Sequence, residues 1–239
     1  LENKSIANPW IKPIISKLKD SSGKYTDFQG QFFSVFCKHF QEYYYILETK
    51  DLGISFGGLK AAQNVNIRIK KNQIYGLIGP NGAGKTTTMR MLSTLLAPTS
   101  GEIFYDGMTT VGNEIAIKKR IGFLTNEIRL DGQFSPNQSA QYFGQLYGMT
   151  AEQIKKNTKD LFDYFGITEF ADRKYETFST GMKQKTSIAI CMIHDPDIII
   201  FDEPTRGIDV GAKFEIYKLI NDLVAEGRSV LMISSEMEE

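Results

Sequence analysis

The residues Gly79-Pro80-Asn81-Gly82-Ala83-Gly84-Lys85-Thr86, followed by Thr87, fit the pattern GxxxxGK[ST] at every fixed position. This arrangement suits the binding of phosphate. Glycines allow the backbone to curl around an anion and turn its N–H groups inward. Lys85 can reach the outer phosphates, and Thr86 can place a hydroxyl on Mg²⁺. The flanking sequence agrees. Gln73 to Ile78 reads as a buried strand and Thr87 to Leu96 as a helix. A strand, a glycine loop and a helix N-terminus together make an anion site.

Two further stretches carry chemistry. Ile198-Ile199-Ile200-Phe201-Asp202-Glu203 is an apolar strand ending in two acids. Next to a phosphate loop, Asp202 is placed to hold Mg²⁺. Glu203 falls at the carboxyl end of the strand, where open α/β sheets bind ligands, and can polarise an attacking water as general base. In Phe178-Ser179-Thr180-Gly181-Met182-Lys183-Gln184-Lys185, small polar residues open a helix. Its free N–H groups and dipole favour a phosphate, although plain N-capping by Ser179 accounts for the same residues.

The elements that must position these groups alternate. Tyr44–Thr49 and Val65–Ile69 read as strands, with a turn at Gly57-Gly58 between them. Glu102–Tyr105, Arg120–Leu124, Asp197–Phe201 and Ser229–Ile233 are further strand candidates. Residues 131–180 read as helical. Thr150 and Gln153 make a capping box there, and Ile154, Leu161 and Phe165 form an apolar stripe. Ser187–Met192 and Lys213–Ala225 are also helical, the latter ended by Gly227. The alternation predicts an α/β fold with a largely parallel sheet, the early strands forming a separate antiparallel layer. Residues 1–42 differ, with Pro9, Pro13 and an aromatic run in which Phe32, Phe36 and Phe40 share one helical face. They are read as an extension or linker preceding a domain over 43–239.

The bulk numbers limit the partners. Of 239 residues, Lys plus Arg and Asp plus Glu are 28 each, so bulk electrostatics do not favour nucleic acid, and none is expected as a partner. Cys37 and Cys191 lack metal-ligand spacing, which points to a reducing compartment. No apolar run approaches the roughly 20 residues of a membrane span, so a membrane role would act through a partner.

Taken together and in this order, the phosphate loop, the Ser179-Thr180-Gly181-Met182-Lys183-Gln184 signature and the run Asp195-Pro196-Asp197 to Pro204-Thr205 resemble the nucleotide-binding domains of ABC transporters. The resemblance covers about residues 44–239. It implies a P-loop NTPase-type three-layer core with a mostly parallel sheet, an N-terminal antiparallel β layer and a helical subdomain over about 127–180. It also implies an ATP- and Mg²⁺-dependent ATPase that drives transport. The helical subdomain would dock on a transmembrane permease subunit. The domain would lie in the cytoplasm, peripheral to the inner face of the membrane. A second ATP-binding subunit would pair head to tail, so that Ser179, Thr180 and Gly181 serve the partner's nucleotide. Phe56 matches the aromatic that stacks on adenine, and Asp209 matches a loop acidic residue that touches the opposite site.

Two positions depart from the family pattern. Asn126 stands where the family has a glutamine that senses Mg²⁺ and water, and Ser235 stands where it has a histidine. Glu203 remains, so ATP hydrolysis is expected. The alternative is a nucleotide-binding module of weak turnover in a paired ATPase. His39 and His194 match no family site and are read as structural. Family members continue beyond the position of Ser235, and the short C-terminal end suggests a trimmed or intermediate form.

Overall fold

The computed structural model describes residues 45–125 and 131–234. Residues 1–42, Asn126 and Ser235 lie outside the described residues.

The first layer is antiparallel. β1 (Tyr45–Phe56) turns through Gly57-Gly58 into β2 (Leu59–Val65). β1 also pairs with β3 (Arg68–Lys70) and with β5 (Ser100–Tyr105), which continues into β6 (Met108–Thr109). The sequence predicts one strand over 65–69, whereas β2 and β3 are separate. Asn64 has φ 50°, and the Asn66 side chain accepts from the Asp51 N–H while donating to Asn64 O, so the chain bends there. The layer also recruits β5 and β6, which follow the phosphate loop. Early strands alone do not complete it.

The second layer is a parallel sheet in the order β4 (Ile74–Ile78), β9 (Ser229–Ser234), β8 (Ile198–Asp202), β7 (Ile121–Thr125). Successive side chains of a strand point to opposite faces. In β8 this divides the apolar run between two cores. Ile198 and Ile200 pack with the antiparallel layer and with α1 (Lys85–Leu92), against Leu47, Ile69, Met89 and Ile103. Ile199 and Phe201 pack on the other face against α5 (Thr180–Cys191) and α6 (Val210–Ala225). Burial on both faces explains the unbroken isoleucine run. The reading of β4 as buried needs correction. Ile74 and Ile78 are 40% and 61% exposed, because they share one face of β4, whereas Tyr75 and Leu77 on the other face pack with the antiparallel layer.

The helical region has less helix than its sequence predicts. After a short helix α2 (Glu114–Lys118) and β7, α3 (Pro136–Leu146) and α4 (Ala151–Phe165) are the α-helices between residues 131 and 179. Both begin with capping boxes, Ser135/Gln138 and Thr150/Gln153. Gly166 at φ 64° stops α4 in a left-handed cap. Only two single 3₁₀ turns, Thr168–Phe170 and Tyr175–Thr177, lie between it and α5.

Candidate functional site

The loop after β4 and the carboxyl end of β8 meet in one cleft of about 400 Å³. It is lined by Asn81, Gly82, Gly84, Lys85, Thr86 and Thr87 from the loop and α1. Asp202, Glu203 and Arg206 line it from β8 and the turn beyond, and Leu59, Lys60 and Ala61 from β2. Gly79, Pro80 and Ala83 belong to the same loop without lining the cleft.

Local geometry explains the loop's residue types. Gly82 and Gly84 have φ 83° and 79°, where a side chain is strained. A Cβ on Gly84 would also sit 2.3 Å from Ala61 O, so β2 and the loop approach too closely for any larger residue. Gly84 is the N-cap of α1, and no side chain caps that terminus. The first-turn N–H groups therefore have no intrahelical acceptor and can serve an anion. Lys85 Nζ donates to Gly79 O at 2.6 Å and Pro80 O at 3.0 Å, which holds the ammonium over the loop.

The acids face this cradle. Thr86 Oγ1 and Asp202 Oδ1 lie 3.5 Å apart, bringing two hard oxygen donors to one point, a donor set that fits Mg²⁺. Asp202 is buried. Glu203 stands at φ 55°, unusual for a side-chain-bearing residue, and its N–H donates to Ile233 O at 3.1 Å. Three cations (Lys60, Lys85 and Arg206) and two carboxylates therefore line one space.

The other predicted residues are placed apart. Ser179 caps α5, accepting from Met182 N–H at 3.2 Å, and Asp209 caps α6, accepting from Ala212 N–H at 3.0 Å. Ser179, Thr180 and Asp209 are exposed and do not line the cleft of their own chain. Gly181 is buried, and a Cβ there would meet Ala212 Cβ at 3.0 Å. Phe56 is half-exposed at the end of β1, paired with Leu59, which lines the cleft where Phe56 does not. Lys60 and Arg206 were missed by the sequence reading. Arg206 lies within the stretch that singled out Asp209. Lys60 has no local signal, because only the packing of β2 on the loop brings it there.

His194 stacks on Tyr147 at 3.6 Å, and its Nε2 lies 3.0 Å from Ile121 O. This pins α3's end to the start of β7, as a structural histidine would. Burial lowers its pKa.

A larger hollow, about 670 Å³, lies between α3 and α4. Its helix N-terminus is already closed by Thr150 and Gln153, and it has no glycine loop, so its size does not make it the anion site. Among the described residues, no helix is long and apolar enough to cross a membrane.

Residues 62–206 match the family model described as ABC transporter. The chain is 42% identical over 182 residues to the ABC transporter ATP-binding protein NatA of Bacillus subtilis, covering 76% of this chain and 74% of that protein. It is 35% identical over 195 residues to the linearmycin resistance ATP-binding protein LnrL of the same organism, covering 81% of this chain and 62% of the relative. Its fold is similar to that of cbiO1 from Clostridium perfringens, part of the ABC transporter complex cbiONQ, with TM-score 0.73 and 24% identity over 80% of this chain and 79% of the other.

Proposed function

The chain belongs to the ABC transporter family, as one of its ATP-binding ATPase domains, and we propose that it binds Mg²⁺–ATP in the cleft between the Gly79–Thr87 loop and the end of β8, hydrolyses it there, and so drives transport through a membrane permease. The observation that carries this reading is the meeting of Lys85, Thr86, Asp202 and Glu203 from distant parts of the sequence around one anion-binding loop.

The residues take separate roles. Loop N–H groups and the N-terminus of α1 hold the phosphates. Lys85 has three donors, so it can keep a loop carbonyl and still reach a phosphate oxygen. Thr86 and Asp202 would hold Mg²⁺, which when bound neutralises charge on the outer phosphates. Glu203, on its fixed turn, accepts a proton from the attacking water. Phe56 supports the adenine from the end of β1. Asn126 would report metal occupancy to the permease, and Ser235 would stand in the remaining catalytic position. Positioning and electrostatics account for most of the acceleration. Ser179, Thr180, Gly181 and Asp209, which do not line their own cleft, serve the nucleotide of a second subunit. The helical subdomain is the docking face for the permease, at the inner side of the membrane.

Titration with Mg²⁺–ATP and measurement of phosphate release test this. Lys85→Ala should weaken ATP binding roughly a hundredfold, the worth of charge-assisted hydrogen bonds to phosphate. Glu203→Gln should keep binding and lower turnover by about 10²–10⁴-fold. Ordinary turnover in Glu203→Gln would sink the base assignment. The second reading, a binding module of weak turnover, draws on Asn126 and Ser235. It predicts tight ATP binding with negligible phosphate release even with permease present.

A further inference from the structure

Arg206 also lines the cleft. The turn that presents it is firmly held. Arg206 N–H donates to Glu203 O at 3.3 Å, closing a tight turn over Pro204 and Thr205. Thr205 is buried, and its Oγ1 lies 3.1 Å from the Tyr217 hydroxyl of α6. Ile208, also buried, donates its N–H to Thr205 O at 3.3 Å. Both ends of the turn are thus anchored in the core, and Arg206 itself is exposed at the cleft wall. Among the described residues its guanidinium makes no hydrogen bond or ion pair, so nothing within the fold accounts for its place there.

We propose that Arg206 contacts the outermost phosphate of the nucleotide in this cleft and makes the site prefer a triphosphate over a diphosphate. The inference rests on the ATP-binding reading above. Two observations carry it. Arg206 is one turn from Glu203, the residue placed at the reacting end of the nucleotide. The cleft offers two carboxylates against Lys60 and Lys85, so without Arg206 its side chains would be neutral overall toward a highly charged ligand. A guanidinium holds its charge at every physiological pH and its planar fork matches phosphate oxygens in pairs. A cation supplied from the same chain to a transferring phosphoryl group is an established electrostatic device.

The test is calorimetric titration of the full chain with Mg²⁺–ATP and, separately, Mg²⁺–ADP. Arg206→Gln should weaken ATP binding roughly tenfold, the lower range for a lost charge-assisted contact, while ADP binding changes less than about twofold. Arg206→Lys, which keeps the charge without the fork, should fall between. Equal weakening of both nucleotides, or no weakening of either, overturns the proposal. If Arg206→Gln does not fold by circular dichroism, Arg206→Lys decides: an ATP-to-ADP preference equal to that of the unaltered chain overturns it. An unaltered chain that binds neither nucleotide overturns the ATP-binding reading itself. Normal ATP binding with an indifferent Arg206 removes only this inference.

Discussion

At the scale of single residues, identical chemistry serves opposite ends according to its surroundings. Ser179 and Asp209 are helix caps within their own chain and do not line its cleft. Lys85 and Asp202 are drawn into one cleft by the sheet. His194 shows the same dependence on setting. Its ring is packed on Tyr147 with Asp195 and Arg228 as the charged groups near it, and burial is the largest influence, holding its pKa below the usual 6.5. The unfolded chain therefore takes up a proton at a higher pH than the folded one. Stability must rise with pH through this window, and is lost as pH falls below about 6.5 toward the lower folded value. His194→Phe keeps the stacking and removes the proton. Between pH 7.5 and 5.5 the Tm of the unaltered protein should fall further than that of His194→Phe, read by thermal circular dichroism. Parallel shifts in the two proteins would remove the assignment. The reading of His194 as structural needed no structure, since it matches no motif. Its partners needed one, because Tyr147 and Ile121 lie far from it in sequence.

At the scale of elements, local signals worked where the local sequence decides the conformation. The Thr150/Gln153 box is present, with both reciprocal hydrogen bonds at 3.2 and 2.8 Å. Thr150→Ala should destabilise the protein by about 1 kcal/mol, seen as a lower urea midpoint at unchanged slope. An unchanged midpoint would mean that tertiary packing alone holds the start of α4. An equivalent box at Ser135/Gln138 carries the same S-x-x-Q spacing, and the broad helical reading of 131–180 passed over it. That reading also extended helix past Gly166, whose left-handed cap ends it. The strands divide in the same way. The isoleucines of β8 announce burial on both faces, and both cores use them. β4 carries a similar apolar run, but one of its faces, with Ile74 and Ile78, is left exposed, and no residue within β4 records that.

At the scale of the whole molecule, two sheets and their helices bring residues about 120 positions apart into one cleft, while the exposed start of α5 does not line it. The proposed role of Ser179 calls for a second subunit. Glu203→Gln with Mg²⁺–ATP should therefore run at twice the chain mass by light scattering, and Ser179→Arg added to it should return the monomer without loss of ATP binding. A dimer that survives Ser179→Arg would place the pairing surface elsewhere. A partly exposed ion network ties the layers. Arg120 reaches Asp106 in the β5–β6 turn at 3.2 Å and Asp197 before β8 at 2.5 Å, and Lys71 meets Asp106 at 2.8 Å. The amino-acid sequence by itself determined the anion loop, the acids ending β8, the alternation of strands and helices, and the family. These are matters of residue type and short spacing, which local backbone chemistry reads directly. Only the tertiary structure decided that Lys60 and Arg206 share the cleft, that β2 presses on Gly84, and that β4 is exposed. Such facts arise from contacts between segments distant in the chain, whose approach is set by packing two sheets over a common core.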